Sequence, residues 1–112
     1  MIMMYRKLNQ VDEIKLTCNF HASDVEQVKS EFYYLIRRGE SQLLIDMSEL
    51  KSIDREALEF LLKCEKKAKF QKGWLAVVCP TKNVVASMRS NFPCRLFTIF
   101  FSKEKAVAAM GA

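Results

Sequence analysis

The chain has 112 residues, half of them hydrophobic and 28% charged, with only three Gly and two Pro. That length suits one compact domain over 1–112, and the apolar fraction supports a real core, which excludes a disordered chain. Eighteen basic residues against thirteen acidic ones leave a net charge of +5. No apolar run approaches the roughly 18 residues of a membrane span, and residues 1–7 lack the basic flank and apolar stretch of a secretory signal. A cytoplasmic chain without membrane insertion is expected.

Residues 3–8 and 13–20 read as two strands around the polar turn Asn9-Gln10-Val11-Asp12. In the second, Ile14, Leu16, Cys18 and Phe20 alternate with Lys15, Thr17 and Asn19, a period of two that buries one face and wets the other. Ser23-Asp24-Val25-Glu26 has the S-x-x-E spacing of a capping box, in which the hydroxyl takes an orphan amide and the Glu reaches back. Val25, Val28, Phe32, Leu35 and Ile36 then form a helical stripe over about 24–38, stopped by Gly39.

Residues 42–46 are a continuous apolar run ending in Asp46, as a strand covered on both faces requires. A loop over 47–53 leads to a helix over about 54–71 with Ala57, Leu61, Cys64 and Ala68 as its stripe, widened by Leu58 and Leu62. Gly73 ends that helix, and 74–79 is the next buried strand. Pro80 stops it, and Thr81 caps a helix carrying Val84, Val85, Met88 and Phe92, closed by Pro93. Residues 96–101 form a last strand, and Ser102 caps a short helix with Ala106, Val107 and Met110. The order ββαβαβαβα predicts an α/β fold: a mixed, mostly parallel sheet of four to five strands with four helices, its first two strands a hairpin.

Most chemistry is excluded by what is missing. There is no GxGxxG, GxxxxGK[ST], GxSxG or HExxH, no CxxC pair among the four cysteines, and a single histidine, His21. No metal site, cofactor or catalytic dyad is expected, and the thiols are expected reduced and mostly buried. Segment 63–72 sets Lys63, Lys66, Lys67, Lys69 and Lys72 against Glu65. Without interleaved Arg it reads as a solvated helix face rather than a nucleic-acid or anionic-membrane patch. Tyr33, Tyr34 and Phe60 are candidate exposed aromatics of an interface. The segment 46–57 stands out, because it leaves the carboxyl end of a buried strand, carries carboxylates and hydroxyls, and opens a helix whose first amides attract negative charge. Asp54 and Glu56 equally suit ordinary capping and dipole complementation there.

Leu44-Ile45-Asp46-Met47-Ser48, followed by Ile53-Asp54 opening an amphipathic helix, resembles the STAS domain, the family of anti-sigma factor antagonists and of the cytoplasmic tails of sulphate transporters. Its pattern is an apolar strand ending Asp-x-Ser, a short loop, then Asp-Ser-Ser-Gly at a helix start. Residues 73–80 resemble the family's fourth strand, and Arg95-Leu96-Phe97 with 102–106 its closing strand and helix, so the likeness spans about 40–110. The resemblance implies a binding module controlled by phosphorylation. The unphosphorylated antagonist binds an anti-sigma factor that is also a serine kinase, and phosphate on the second residue after the loop Asp breaks the complex.

Aligned on Asp54, Arg55 stands for the first serine, Glu56 for the phosphoacceptor and Ala57 for the glycine. The expected partner surface is Asp46, Ser48, Ser52, Asp54, Arg55, Glu56 and Ala57, its phospho-switch absent. Ser48 and Ser52 are the neighbouring hydroxyls, with Ser48 expected to cap the loop. The implied partner is an anti-sigma factor of the serine-kinase kind or, as for the STAS accessory subunit of a lipid-transport ABC complex, a transporter ATPase. Some STAS-like domains bind nucleotides, and that reading stays open here, as does a homodimer.

Overall fold

The computed structural model describes residues 2–78, 80–91 and 98–110. Cys79 and Cys94, the expected stop at Phe92-Pro93 and the expected strand start at Leu96-Phe97 lie outside the described residues. Strands β1 (Ile2–Leu8) and β2 (Val11–Phe20) form an antiparallel hairpin. Its turn is tighter than the four residues expected: Val11 already pairs with Leu8, and Asn9 takes the bend at φ 55°, a left-handed conformation that Asn tolerates. Helix α1 (Ala22–Arg37) follows, then β3 (Gln42–Ile53), α2 (Arg55–Phe70), β4 (Trp74–Val78), α3 (Lys82–Asn91), β5 (Thr98–Phe100) and α4 (Lys103–Ala109). The five strands lie in the order β1-β2-β3-β4-β5, every neighbouring pair after the hairpin being parallel. This is the mixed, mostly parallel α/β sheet that the alternation of elements predicts.

Ile14, Leu16, Leu43 and Ile45 of the sheet pack with Phe32 of α1, Leu58 and Leu61 of α2 and Val84 of α3. On the other face Val11, Leu44, Ala76 and Val78 pack with Ala106 and Met110 at α4. Among the described residues, three helices therefore cover one face and one helix the other. That double cover explains why β2 is buried continuously from Val11 to Ile14 rather than alternating.

Four local expectations need correction. Residues 47–53 are not a loop but the second half of β3. Two register shifts, between Lys15 and Thr17 and between Cys18 and Asn19, each put one more residue on β3 than on β2. Each such bulge reverses which face the following side chains take, so Met47, Leu50 and Ile53, three apart, are all buried. The same irregularity turns Cys18 outward at φ 66°, exposed rather than buried with Phe20. The cap of α1 is His21 rather than Ser23: β2 runs on to Phe20, His21 is extended, and Asp24 reaches back to accept from the His21 amide at 2.9 Å. Phe60 is buried, its ring 5.3 Å from Phe32 and 6.3 Å from Phe20, because it closes the seam between α1 and β2. Tyr34 is exposed and Tyr33 half-buried.

Candidate functional site

β3 outruns its neighbour. It pairs with β4 only from Gln42 to Asp46, then continues beside β2 as a two-stranded ribbon to Ile53. Met47, Leu50 and Ile53 hold the ribbon to the core, while Ser48, Glu49 and Lys51 face water. Where β4 no longer reaches, the Thr81 hydroxyl donates to the Leu50 carbonyl at 3.0 Å, which satisfies an edge acceptor. The ribbon delivers the chain directly into α2, so the start of that helix sits on a rigid support.

Asp46, the last residue in the β4 ladder, is buried on the α4 side of the sheet. Its Oδ2 lies 2.9 Å from Lys103 Nζ, and its Oδ1 accepts from the Ser48 amide at 2.9 Å. Burial opposes its ionisation, but the Lys103 ammonium and the Ser48 amide and hydroxyl outweigh burial and hold its carboxyl below the usual range. Lys103 also reaches Glu13 at 2.7 Å. Burial would lower the Lys103 pKa, yet the two carboxylates raise it. Asp46 is thus an internal anchor for α4 that touches only Ser48 among the other candidates.

Asp54 caps α2. Its Oδ1 accepts from the Ala57 amide at 3.0 Å, and its Oδ2 accepts from the Ala22 amide of α1 at 2.9 Å. Ser52 donates to Asn19 Oδ1 at 2.7 Å, and His21 Nε2 lies 2.9 Å from its hydroxyl. Ala57 is fully buried, which fits a small side chain under the first turn. Arg55 and Glu56 point to water, with Arg55 Nε donating to Glu59 at 3.0 Å. Glu56 lines a shallow groove between the two helices with Glu26, Lys29, Tyr33 and Glu59. Of the seven residues singled out, Arg55 and Glu56 form the exposed helix start, Ser52, Asp54 and Ala57 support it from beneath, Ser48 lies on the ribbon, and Asp46 is buried elsewhere.

Two contributors carry no obvious signal in the sequence. His21 precedes a helix without being a usual cap, and Lys103 looks like any first-turn lysine until Glu13 and Asp46 are brought to it. Among the described residues no cluster of three His, Cys, Asp or Glu could hold a metal ion, and no helix is long and apolar enough to cross a membrane.

Comparison with known proteins bears on this geometry. The sequence matches the family described as "Mlab, STAS domain" over residues 3–91. No curated protein matches it significantly. An anti-sigma-factor antagonist (STAS) domain protein from Planctomyces limnophilus superposes with a TM-score of 0.85 at 19% identity, over 98% of this chain and 98% of that one. An anti-sigma factor antagonist from Mycobacterium paratuberculosis gives 0.85 at 13% identity, over 99% of this chain and 94% of that one. The phosphorylated form of the Bacillus cell fate determinant SpoIIAA gives 0.73 at 13% identity, over 96% and 98%. At these identities the structural likeness is one of fold, and it agrees with the sequence match: the chain belongs to the STAS domain family.

Proposed function

We propose that this protein is a non-enzymatic, protein-binding regulatory module of the anti-sigma antagonist kind, with the exposed start of α2 as its docking face. The observation that carries the proposal is Glu56, an exposed carboxylate in the first turn of α2. Aligned on Asp54, it falls where the family's phosphoacceptor serine stands. A carboxylate there brings about −1 without any modification, against about −1.5 to −2 for a phosphoserine. The helix N-terminus favours that charge. Of the neighbouring hydroxyls, Ser52 donates to Asn19 Oδ1, while Ser48 faces water on the ribbon with its amide donating to Asp46. The docking face therefore keeps one charge state, and its partner is held or released without a kinase acting on this segment. A second reading, a cytoplasmic STAS accessory subunit seated on a transporter ATPase, is the other partner class that membership of the STAS family suggests.

Both readings use the same helix face, and both are tested by charge. Incubated with a purified anti-sigma serine kinase and ATP, the wild-type chain should take up no phosphate within residues 46–57 by mass spectrometry. Glu56→Ser should gain one. Stoichiometric phosphate on the wild-type segment overturns the fixed-charge proposal. Calorimetric titration of a purified anti-sigma kinase and of a purified lipid-transport ATPase separates the readings. Glu56→Lys should weaken the true partner by about ten-fold, ~1.4 kcal/mol.

A further inference from the structure

The C-terminal ends of α1 and α2 meet at the pole opposite Glu56, where the Glu40 amide donates to the Gln71 carbonyl at 2.8 Å. Fourteen residues of helix separate Glu56 from Phe70, on the order of 21 Å. Phe70 is 87% exposed. Lys63, Lys66 and Lys67 lie seven, four and three residues before it, so they share its helix face. Arg37 of α1 joins Lys66, Lys67 and Phe70 around a shallow depression. The acidic residue of this stretch, Glu65, is turned inward and buried, with Lys69 reaching it at 3.9 Å. The outer face is therefore a phenyl ring set among cations.

From this we infer that the α2 end of the molecule docks on an anionic phospholipid bilayer, with Phe70 inserted at the interface. Charge complementarity is the first reason. The ammonium groups can sit at the level of lipid phosphates while their stems and the phenyl ring lie deeper, as amphipathic side chains do at interfaces. The second reason is the state of the backbone. Approach to a bilayer strips water from a helix end, which is costly where carbonyls are unpaired. Here three carbonyls of the last turn of α2 are taken: Lys67 by the Gln71 amide, Lys69 by the Lys72 amide at 3.0 Å, and Ala68 by the Gly73 amide at 2.6 Å. The third is shape. A single exposed ring beside a shallow depression suits insertion at a bilayer surface, whereas single-stranded nucleic acid calls for a basic groove with successive stacking platforms. Docked this way, the start of α2 faces away from the lipid, and the proposed protein-binding face stays free.

The test is co-sedimentation of the full chain with vesicles of phosphatidylcholine mixed with phosphatidylglycerol, and with vesicles of phosphatidylcholine alone. Binding is expected to the anionic vesicles only, and it should fall as salt is raised. Phe70→Ala should lower the partition coefficient by at least about ten-fold. Arg37→Gln with Lys66→Gln should lower it by about five-fold per charge removed. All three side chains are exposed, so circular dichroism and the melting temperature should be unchanged. Failure to bind anionic vesicles, binding indifferent to Phe70→Ala, or capture of a DNA duplex in place of vesicles each overturns the inference. Glu56→Lys should leave vesicle binding intact, so this result and that for the protein partner fail independently.

Discussion

The two oxygens of Asp54 serve different helices, Oδ1 satisfying the Ala57 amide within α2 and Oδ2 the Ala22 amide that opens α1. Removing the carboxylate strands both donors, and a lost cap alone costs about 1 kcal/mol. Asp54→Ala should therefore lower unfolding free energy in urea by roughly 2 kcal/mol, whereas Glu56→Ser, on the exposed side of the same turn, should stay within about 0.5 kcal/mol. A loss of partner binding in Asp54→Ala would thus report a displaced helix start as readily as a lost contact, which is why Glu56 carries the functional test. The two described cysteines divide in the same residue-by-residue way. Burial pushes the Cys64 thiol up to about 12, while Cys18 is exposed at its bulge. Iodoacetamide should label Cys18 in the native protein and Cys64 only on unfolding, as peptide mass spectrometry would read.

At the scale of elements, the turn after α2 corrects a natural reading of its glycine. Gly73 looks like a left-handed helix stop, but Lys72 is the residue at φ 63°. The Gly73 amide closes a six-to-one bond to Ala68, and the Lys72 amide a five-to-two bond to Lys69, the Schellman pattern. Gly73 is required for a different reason: a Cβ there would lie 2.4 Å from the Ser41 carbonyl oxygen and 2.8 Å from the Ser41 nitrogen. The α2–β4 turn and the start of β3 touch backbone to backbone. Gly73→Ala should cost about 3 kcal/mol by forcing β3 aside, while Lys72→Gly should gain up to about 1 kcal/mol by relieving the left-handed lysine. Thermal melts that ranked the two substitutions the other way would contradict this account. The β3 bulges work at the same scale. They carry the strand past the sheet while keeping an apolar side chain inward every third residue, so the ribbon that presents α2 remains anchored.

For the molecule as a whole, α4 is the sole helix on its face of the sheet among the described residues, and Lys103 pins it between Glu13 and Asp46. Asp46 has a lowered pKa in the fold, so its contribution is complete above the ordinary value of 3.8 and fades as pH falls through the lower native one. Lys103 has a raised pKa, so its contribution is complete below 10.5 and fades as pH rises through the higher native value. Hydrogen exchange should accordingly show α4 protected across the neutral range and loosened first at both extremes, with the α1 and α2 layer persisting. Lys103→Met should cost about 2 kcal/mol, because it leaves two buried carboxylates together, discounted for the partial exposure of the ammonium. Equal loss of protection across all four helices at low pH would contradict the pinning.

The order of elements was legible in the chain because its causes are local: periods of two and 3.6, continuous apolar runs, the caps at Asp54 and Ser102, and stops at Gly39 and Pro80. The same locality exposed the start of α2 as the candidate site, since a cap and an acidic first turn announce a helix N-terminus in sequence. The extension of β3, the outward Cys18 and the inward Phe60 were decided by tertiary structure. Each depends on a partner distant in the chain: β2 setting the bulges, or α1 and β2 closing over a ring. The half-buried Lys103 and the bare Phe70 follow the same rule, because whether a side chain meets water or carboxylates is fixed by which elements pack against it, and local period carries no record of that.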